Sequence, residues 1–298
     1  MGSSARPGPK RWAADLTIML NAAGGEDRFP IEVDEFAKLY TRQRWPEDPI
    51  LDVVGEPLPG FEGALIPAGV PRRGWRILFN TANVSSGRVR FTQAHELAHY
   101  LMHRHEHPKG IRCDEKAVTR GGGGLIEQEA DTFAAEFLMP LSDLRKRIDP
   151  KAKPCFDTLS DCATRYGVSL TALMFRWLGY TERRSLLVVS REGFALYSRS
   201  SMPAFRTGRF IRTSGEPFEL PSGSCVARGD FSPAVRWGVR HPRGIWFDED
   251  VDELSIHSDT YDQAMTLIHL DPNQEGVEIE EEAEDLVDRF SRFTMGRG

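Results

Sequence analysis

The sequence predicts an α+β protein with more than one domain. Three observations carry this. Apolar residues recur at helical spacing over 11–23, 34–43, 85–104 and 127–138. Between the second and third of these stretches lie short apolar runs bounded by Pro and Gly, as strands are. After Thr181 the texture becomes strand-rich. The chain has 298 residues, 40% apolar and 28% charged, enough for two or three compact units with buried cores. The expected division is a leader at 1–10, a mixed domain at 11–145, a helical segment at 146–181 and a strand-rich domain at 182–298 that ends in an acidic helix.

Each element follows from its pattern. Arg11–Ala23 offers Trp12, Leu16, Ile18, Met19 and Leu20 as a broad apolar face, and Asp34–Gln43 offers Phe36, Leu39 and Tyr40. Ile50–Val54, Phe61–Ile66 and Trp75–Phe79 read as three strands. Ser85 and Ser86 supply a cap for a long helix to about Arg104. The stretch 105–125 holds Pro108, Gly110 and the run Gly121–Gly124, and reads as a long functional loop. Glu127–Leu138 is the next helix, with Phe133, Ala134, Phe137 and Leu138 inward and Pro140 as its stop. Residues 156–166 and 169–178 read as a helix pair. Strands are expected at 185–190, 194–198, 224–228, 244–247, 254–257 and 265–270, and a closing helix at 278–293.

Composition excludes some classes. Net charge is −6, so bulk charge does not announce a nucleic-acid binder. No run of 18 apolar residues exists, so no membrane partner is expected. The polar N-terminus lacks the apolar core of a secretory signal, and the four cysteines form no CxxC pair, so reduced thiols and a cytoplasmic location are expected. Charge is unevenly spread. Residues 181–243 carry 11 Arg against 5 acids, and 247–288 carry 16 acids with no Lys or Arg. Two solvated faces that pack near each other explain this; a basic surface shielded by an acidic tail is the alternative.

The chemistry concentrates in His95-Glu96-Leu97-Ala98-His99, an HExxH motif inside a helix. At 100° per residue His95 and His99 stack on one face, so two imidazoles can reach one metal ion. Glu96 is offset by one position and can act as a base beside it. A catalytic zinc needs a third protein ligand and an open place for water, whereas a structural site is closed by four. Three sources compete for the third ligand. His105 has the spacing of a second HxxGxxH-type histidine, but Met102 stands where the turn-forming Gly would be. Cys113 is a weaker option. An acid of Glu127-Gln128-Glu129-Ala130-Asp131 is the favoured one. Glu127 and Asp131 share a helix face, so Glu127 can bind metal while Asp131 accepts the free N–H of a ligating histidine. Glu129 points about 200° away and reads as solvated or paired.

The blocks Arg90–His103 and Glu127–Pro140, taken together, resemble the ImmA/IrrE family of zinc metallopeptidases over about residues 30–145. The resemblance implies a zincin-like, gluzincin-type domain: a small sheet plus active-site helices, with zinc held by His95, His99 and Glu127 and Glu96 as catalytic base. His103 matches a histidine of the family's helix, as a support or a substrate contact. The same relatives imply a protein substrate, a helix-turn-helix repressor whose cleavage releases a stress or mobile-element programme. The implied activity is metalloendopeptidase. Tyr100, His103 and His105 are the candidates for substrate or oxyanion contact. A His2Glu site with water accepts several metals, so Mn2+ or another divalent ion stands beside Zn2+. Ala163-x3-Gly167 has helix-turn-helix spacing, but with only Arg165 and Arg176 basic there, plain bihelical packing is favoured over DNA binding. Some relatives carry a GAF-like sensor at the C-terminus, which extends to 182–298 as an expectation. The rival function is a DNA-binding or scaffold regulator with a structural or vestigial metal site.

Overall fold

A computed structural model describes residues 7–69, 73–82, 85–114 and 124–272, the side chains of residues 26 and 27 excepted. The chain divides into two compact units. One comprises Met1–Leu144 with Ala163–Ala172, the other Arg145–Cys162 with Leu173–Gly298. The division therefore runs through both helices of the expected middle segment.

In the first unit, α1 (Pro9–Gly24) and α2 (Val33–Arg44) precede the sheet. The expected leader is shorter, because Pro9 and Lys10 are already helical. The apolar faces also differ from expectation. α1 buries Ala13, Leu16 and Thr17 and leaves Ile18 and Met19 exposed; α2 buries Val33, Ala37 and Thr41 and leaves Leu39 exposed. Small residues share the contact line with Leu16 and Val33, because they let the helices approach closely. Thr41 also ties α2 to the sheet: its hydroxyl donates to the Ala37 carbonyl at 2.7 Å and accepts from the Ile50 amide at 2.8 Å.

The sheet is β1 (Ile50–Glu56), β2 (Phe61–Pro67), β3 (Trp75–Asn80) and β4 (Ile111–Asp114), in the order β1-β3-β2-β4. β1 runs parallel to β3, and β2 is antiparallel to both β3 and β4. β4 lies within the stretch read as loop, where four residues suffice to pair with β2; residues 115–123 lie outside the described residues.

Long helix α3 (Ser86–Met102) packs on β2 and β3 and against α4 (Leu125–Leu138). Ser85 precedes α3, but its carbonyl, not its side chain, accepts the first-turn amides of Arg88 and Val89. α4 buries Ala130, Phe133, Ala134, Phe137 and Leu138, with the Phe133 and Phe137 rings stacked 5.3 Å apart and Phe137 against Phe36 of α2. Each such buried ring contributes roughly 1.5–3 kcal/mol, so α4 is held firmly against its neighbours. α5 (Leu141–Arg147) follows. α6 (Phe156–Tyr166) and α7 (Leu170–Leu178) meet at Gly167, whose φ of 60° is a conformation that favours glycine. Arg165, one of the two basic residues of this pair, is bound by Asp143 at 3.1 Å.

The second unit is an antiparallel sheet of β5 (Ser185–Arg191), β6 (Phe194–Ser200), β7 (Val239–His241), β8 (Val251–Ser258) and β9 (Gln263–Leu270), in the order β6-β5-β9-β8-β7. Short helices α8 (Met202–Arg206) and α9 (Pro233–Trp237) lie between strands. Leu186, Val188, Val251, Ile268 and Leu270 of the sheet pack with Leu220, Val226 and Trp246. The strands expected at 224–228 and 244–247 are turns. The Cys225 and Val226 amides donate to the Glu253 carboxylate, which removes them from any ladder, and the Gly244 amide closes a tight turn on the Phe247 carbonyl. The closing helix at 278–293 lies outside the described residues.

The basic and acidic stretches meet inside this unit. Arg184 makes a buried two-pronged pair with Glu249, both contacts 2.7 Å, and Arg240 binds Asp271 at 2.7 Å. No helix among the described residues is long and apolar enough to cross a membrane.

Candidate metal centre

The site lies in the first unit. One turn apart on α3, His95 and His99 direct their Nε2 atoms to the same point, 3.0 Å from each other. Glu127, in the first turn of α4, places one oxygen 3.2 Å from His95 Nε2 and the other 3.4 Å from His99 Nε2. Two nitrogens each bound to a tetrahedral ion at about 2.0–2.1 Å lie roughly 3.3 Å apart, so these spacings suit one ion. Two acceptor nitrogens at 3.0 Å repel each other unless a proton or a cation lies between them.

The other ring nitrogens are committed. His95 Nδ1 donates to Asp131 at 2.8 Å. His99 Nδ1 lies 3.0 Å from His103 Nδ1, and His103 Nε2 lies 2.9 Å from Glu129. The carboxylate of Glu129 accepts, so His103 carries its proton on Nε2 and accepts from His99 on Nδ1. Both metal-facing nitrogens are thereby left with lone pairs. Glu129, expected to point away, instead reaches the next turn of the same α3 face through His103.

Glu96 is fully buried, and neither carboxylate oxygen has a hydrogen-bond partner among the described residues. Burial raises its pKa to about 7, with His95 and Cys113 pulling it back. A Cβ at Gly63 would stand 2.6 Å from Glu96 Oε1, so only glycine leaves room for this carboxylate against β2. Sequence reasoning missed Gly63; its one signal is a glycine inside a strand, which marks close approach by a neighbour.

Electrostatics describe a site that wants positive charge. Burial opposes ionisation of Glu127, yet the two imidazoles hold it well below the usual carboxylate range. Burial lowers His99 to about 4. Burial also opposes charge on His95, but Cys113, Asp131 and Glu127 outweigh it and raise the ring well above its ordinary value. Burial and then Glu96 push the Cys113 thiol up.

Three residues depart from expectation. Cys113, the weak option for a ligand, sits with the other donors: its Sγ is 3.4 Å from His99 Nε2, and His95, His99, Cys113 and Glu127 present ligand atoms all within 4.8 Å of one another. Tyr100 is not at the site. Its hydroxyl donates to the Asp48 carbonyl at 2.6 Å, and Arg104 lies over its ring, because its position on α3 faces the core beside Trp45. His105 is exposed in the turn after α3 and is not among the clustered donors.

Residues 47–178 match the peptidase family M78, described as the IrrE N-terminal-like domain. This part of the chain is similar to an IrrE N-terminal-like domain. It contains both site helices and all the clustered donors. The domain is of peptidase type, in a family whose members are typically metal-dependent. No curated protein matches the chain.

The donor set fits a divalent cation on two grounds: four ligand atoms of N, O and S type converge, and a buried carboxylate beside them has no hydrogen-bond partner among the described residues.

Proposed function

We propose that the IrrE N-terminal-like domain is a metal-dependent endopeptidase that cuts a specific protein, a helix-turn-helix repressor by the family resemblance, and so switches on a stress or mobile-element programme. The observation that carries the catalytic part is the fully buried Glu96 carboxylate, without a hydrogen-bond partner among the described residues, next to converging His95, His99 and Glu127. Zn2+, or Mn2+ in its place, would supply a bound water with its pKa lowered from about 16 to about 7, and would polarise the scissile carbonyl.

The remaining roles belong to side chains of this chain. His95, His99 and Glu127 hold the ion. Asp131 and the His103–Glu129 pair fix the imidazole tautomers and so orient the ligands. Glu96, with a pKa near neutrality, takes a proton from the water and returns it to the leaving amine. Its seat against Gly63 excludes solvent, which keeps the carboxylate basic. His103 is committed to Glu129 and leaves the oxyanion role to other groups. The GAF-like sensor reading of 182–298 is supported by the five-stranded antiparallel sheet.

Glu96→Gln is the test: it retains the metal and stops metal-dependent cleavage of co-expressed repressor proteins. Normal cleavage by this variant removes Glu96 from the mechanism. A structural metal site is the second reading, and the four-donor cluster favours it. It requires the same ion content with no cleavage in either protein.

A further inference from the structure

We propose that Cys113 is a fourth protein ligand of this metal and closes the site in its resting state. The inference rests on the metallopeptidase reading and adds a latent form to it.

The geometry is specific. A thiolate binds zinc at about 2.3 Å and an imidazole at about 2.0–2.1 Å, so in a tetrahedral set they lie roughly 3.6 Å apart. Cys113 Sγ is 3.4 Å from His99 Nε2 and 3.9 Å from Glu127 Oε1. The thiol therefore occupies the fourth corner of the set that the other three donors begin. A bound cation deprotonates a coordinating thiol, which turns a weak donor into a strong ligand. With four protein donors in place no position remains for water, and Glu96 has nothing to deprotonate.

The fold makes the cap removable. His95, His99 and Glu127 sit on two helices packed on each other, whereas Cys113 sits on β4, a four-residue strand at the sheet edge that, among the described residues, pairs with β2 alone. Cys113 pairs across β2 with Gly63, the residue whose missing side chain makes room for Glu96. Withdrawal of one short edge strand opens the fourth position and leaves the helical ligands in place, because edge segments open at lower cost than core elements.

The test uses the full chain loaded with Co2+. The wild type is expected to show visible d–d bands and an intense near-ultraviolet thiolate-to-cobalt charge-transfer band. Cys113→Ala keeps the d–d bands and loses the charge-transfer band; Cys113→Ser, nearly isosteric, does the same should the alanine variant fail to fold. Cys225→Ser keeps the band. Acetohydroxamate, a probe for an open position, perturbs the d–d bands of the Cys113 variant at least tenfold more tightly than those of the wild type. Stoichiometric cobalt without the charge-transfer band, a band that survives removal of Cys113, or equal acetohydroxamate affinity overturns the proposal and leaves the peptidase reading standing. Absence of bound cobalt from the wild type overturns the peptidase reading itself.

Discussion

Two clusters of histidine, cysteine and glutamate occur among the described residues, and they are built to opposite ends. In the first unit His95, His99, Cys113 and Glu127 converge; in the second, Cys225, His241 and Glu253 do. Glu253 is saturated. It accepts from the Cys225 amide at 3.1 Å, the Val226 amide at 2.8 Å, the Trp246 indole at 2.9 Å and the Ser255 hydroxyl at 3.0 Å, and His241 Nε2 stands 3.0 Å from the same carboxylate. A carboxylate has about four lone-pair sites, so none is left for an ion. Glu253 is an anchor that pins a turn and a tryptophan to β8. In the first cluster Glu127 meets ring nitrogens and a thiol, and Glu96 meets no partner among the described residues. Residue type brings both clusters to notice. What separates them is whether the protein has already used the lone pairs.

The comparison yields four expectations, the largest first. Glu96→Gln lowers metal-dependent cleavage by about 10²–10⁴-fold, the usual scale for a lost general base, and leaves metal content by atomic emission unchanged; loss of the metal would move Glu96 into the ligand set. Glu253→Ala leaves several buried donors unpaired and destabilises the second unit by about 3–5 kcal/mol, read from denaturant unfolding, with the metal content untouched. A fall in bound metal would erase the distinction between the clusters.

The third is a pH response of the second unit. His269 is buried, accepts from Ser185 and donates to the Pro154 carbonyl, and burial lowers its pKa to about 3. An unfolded histidine titrates near 6.5. As pH falls from about 6.5 toward 3, the unfolded chain takes up a proton that the folded ring refuses. Stability is therefore fully present above about 6.5 and declines below it, at up to about 1.4 kcal/mol per unit. His269→Gln flattens this part of the stability curve; an unchanged slope refutes the assignment. The fourth and smallest is the loss of a tautomer support. Asp131→Ala and His103→Ala each weaken metal binding by about 10–100-fold in chelator competition, while His257→Ala in the second unit has no effect. Wild-type affinity in both site variants would reduce these contacts to packing.

Much of the site is legible in the sequence. HExxH lay in a helix, Glu127 and Asp131 shared a face, and α4 showed its inward residues, because all of these follow from the 3.6-residue period within one element. In α1 and α2 apolar size is only a partial guide to burial: Leu16 is buried and Phe36 packs on Phe137, whereas Ile18, Met19 and Leu39 are exposed and Ala13, Thr17, Ala37 and Thr41 are buried. Two strands of the second unit were misplaced, because a side-chain carboxylate captured backbone amides that an apolar run alone would assign to a ladder.

By itself the sequence determined an α+β chain with two helices able to present two imidazoles and a carboxylate to one ion. Tertiary structure alone decided that Cys113 joins them, that Gly63 makes the seat of Glu96, that His103 reaches Glu129, and that Tyr100 turns toward Asp48. The reason is geometric. Helical periodicity relates residues three or four apart, whereas a strand residue meets a helix through sheet register and packing distance, which no local pattern encodes.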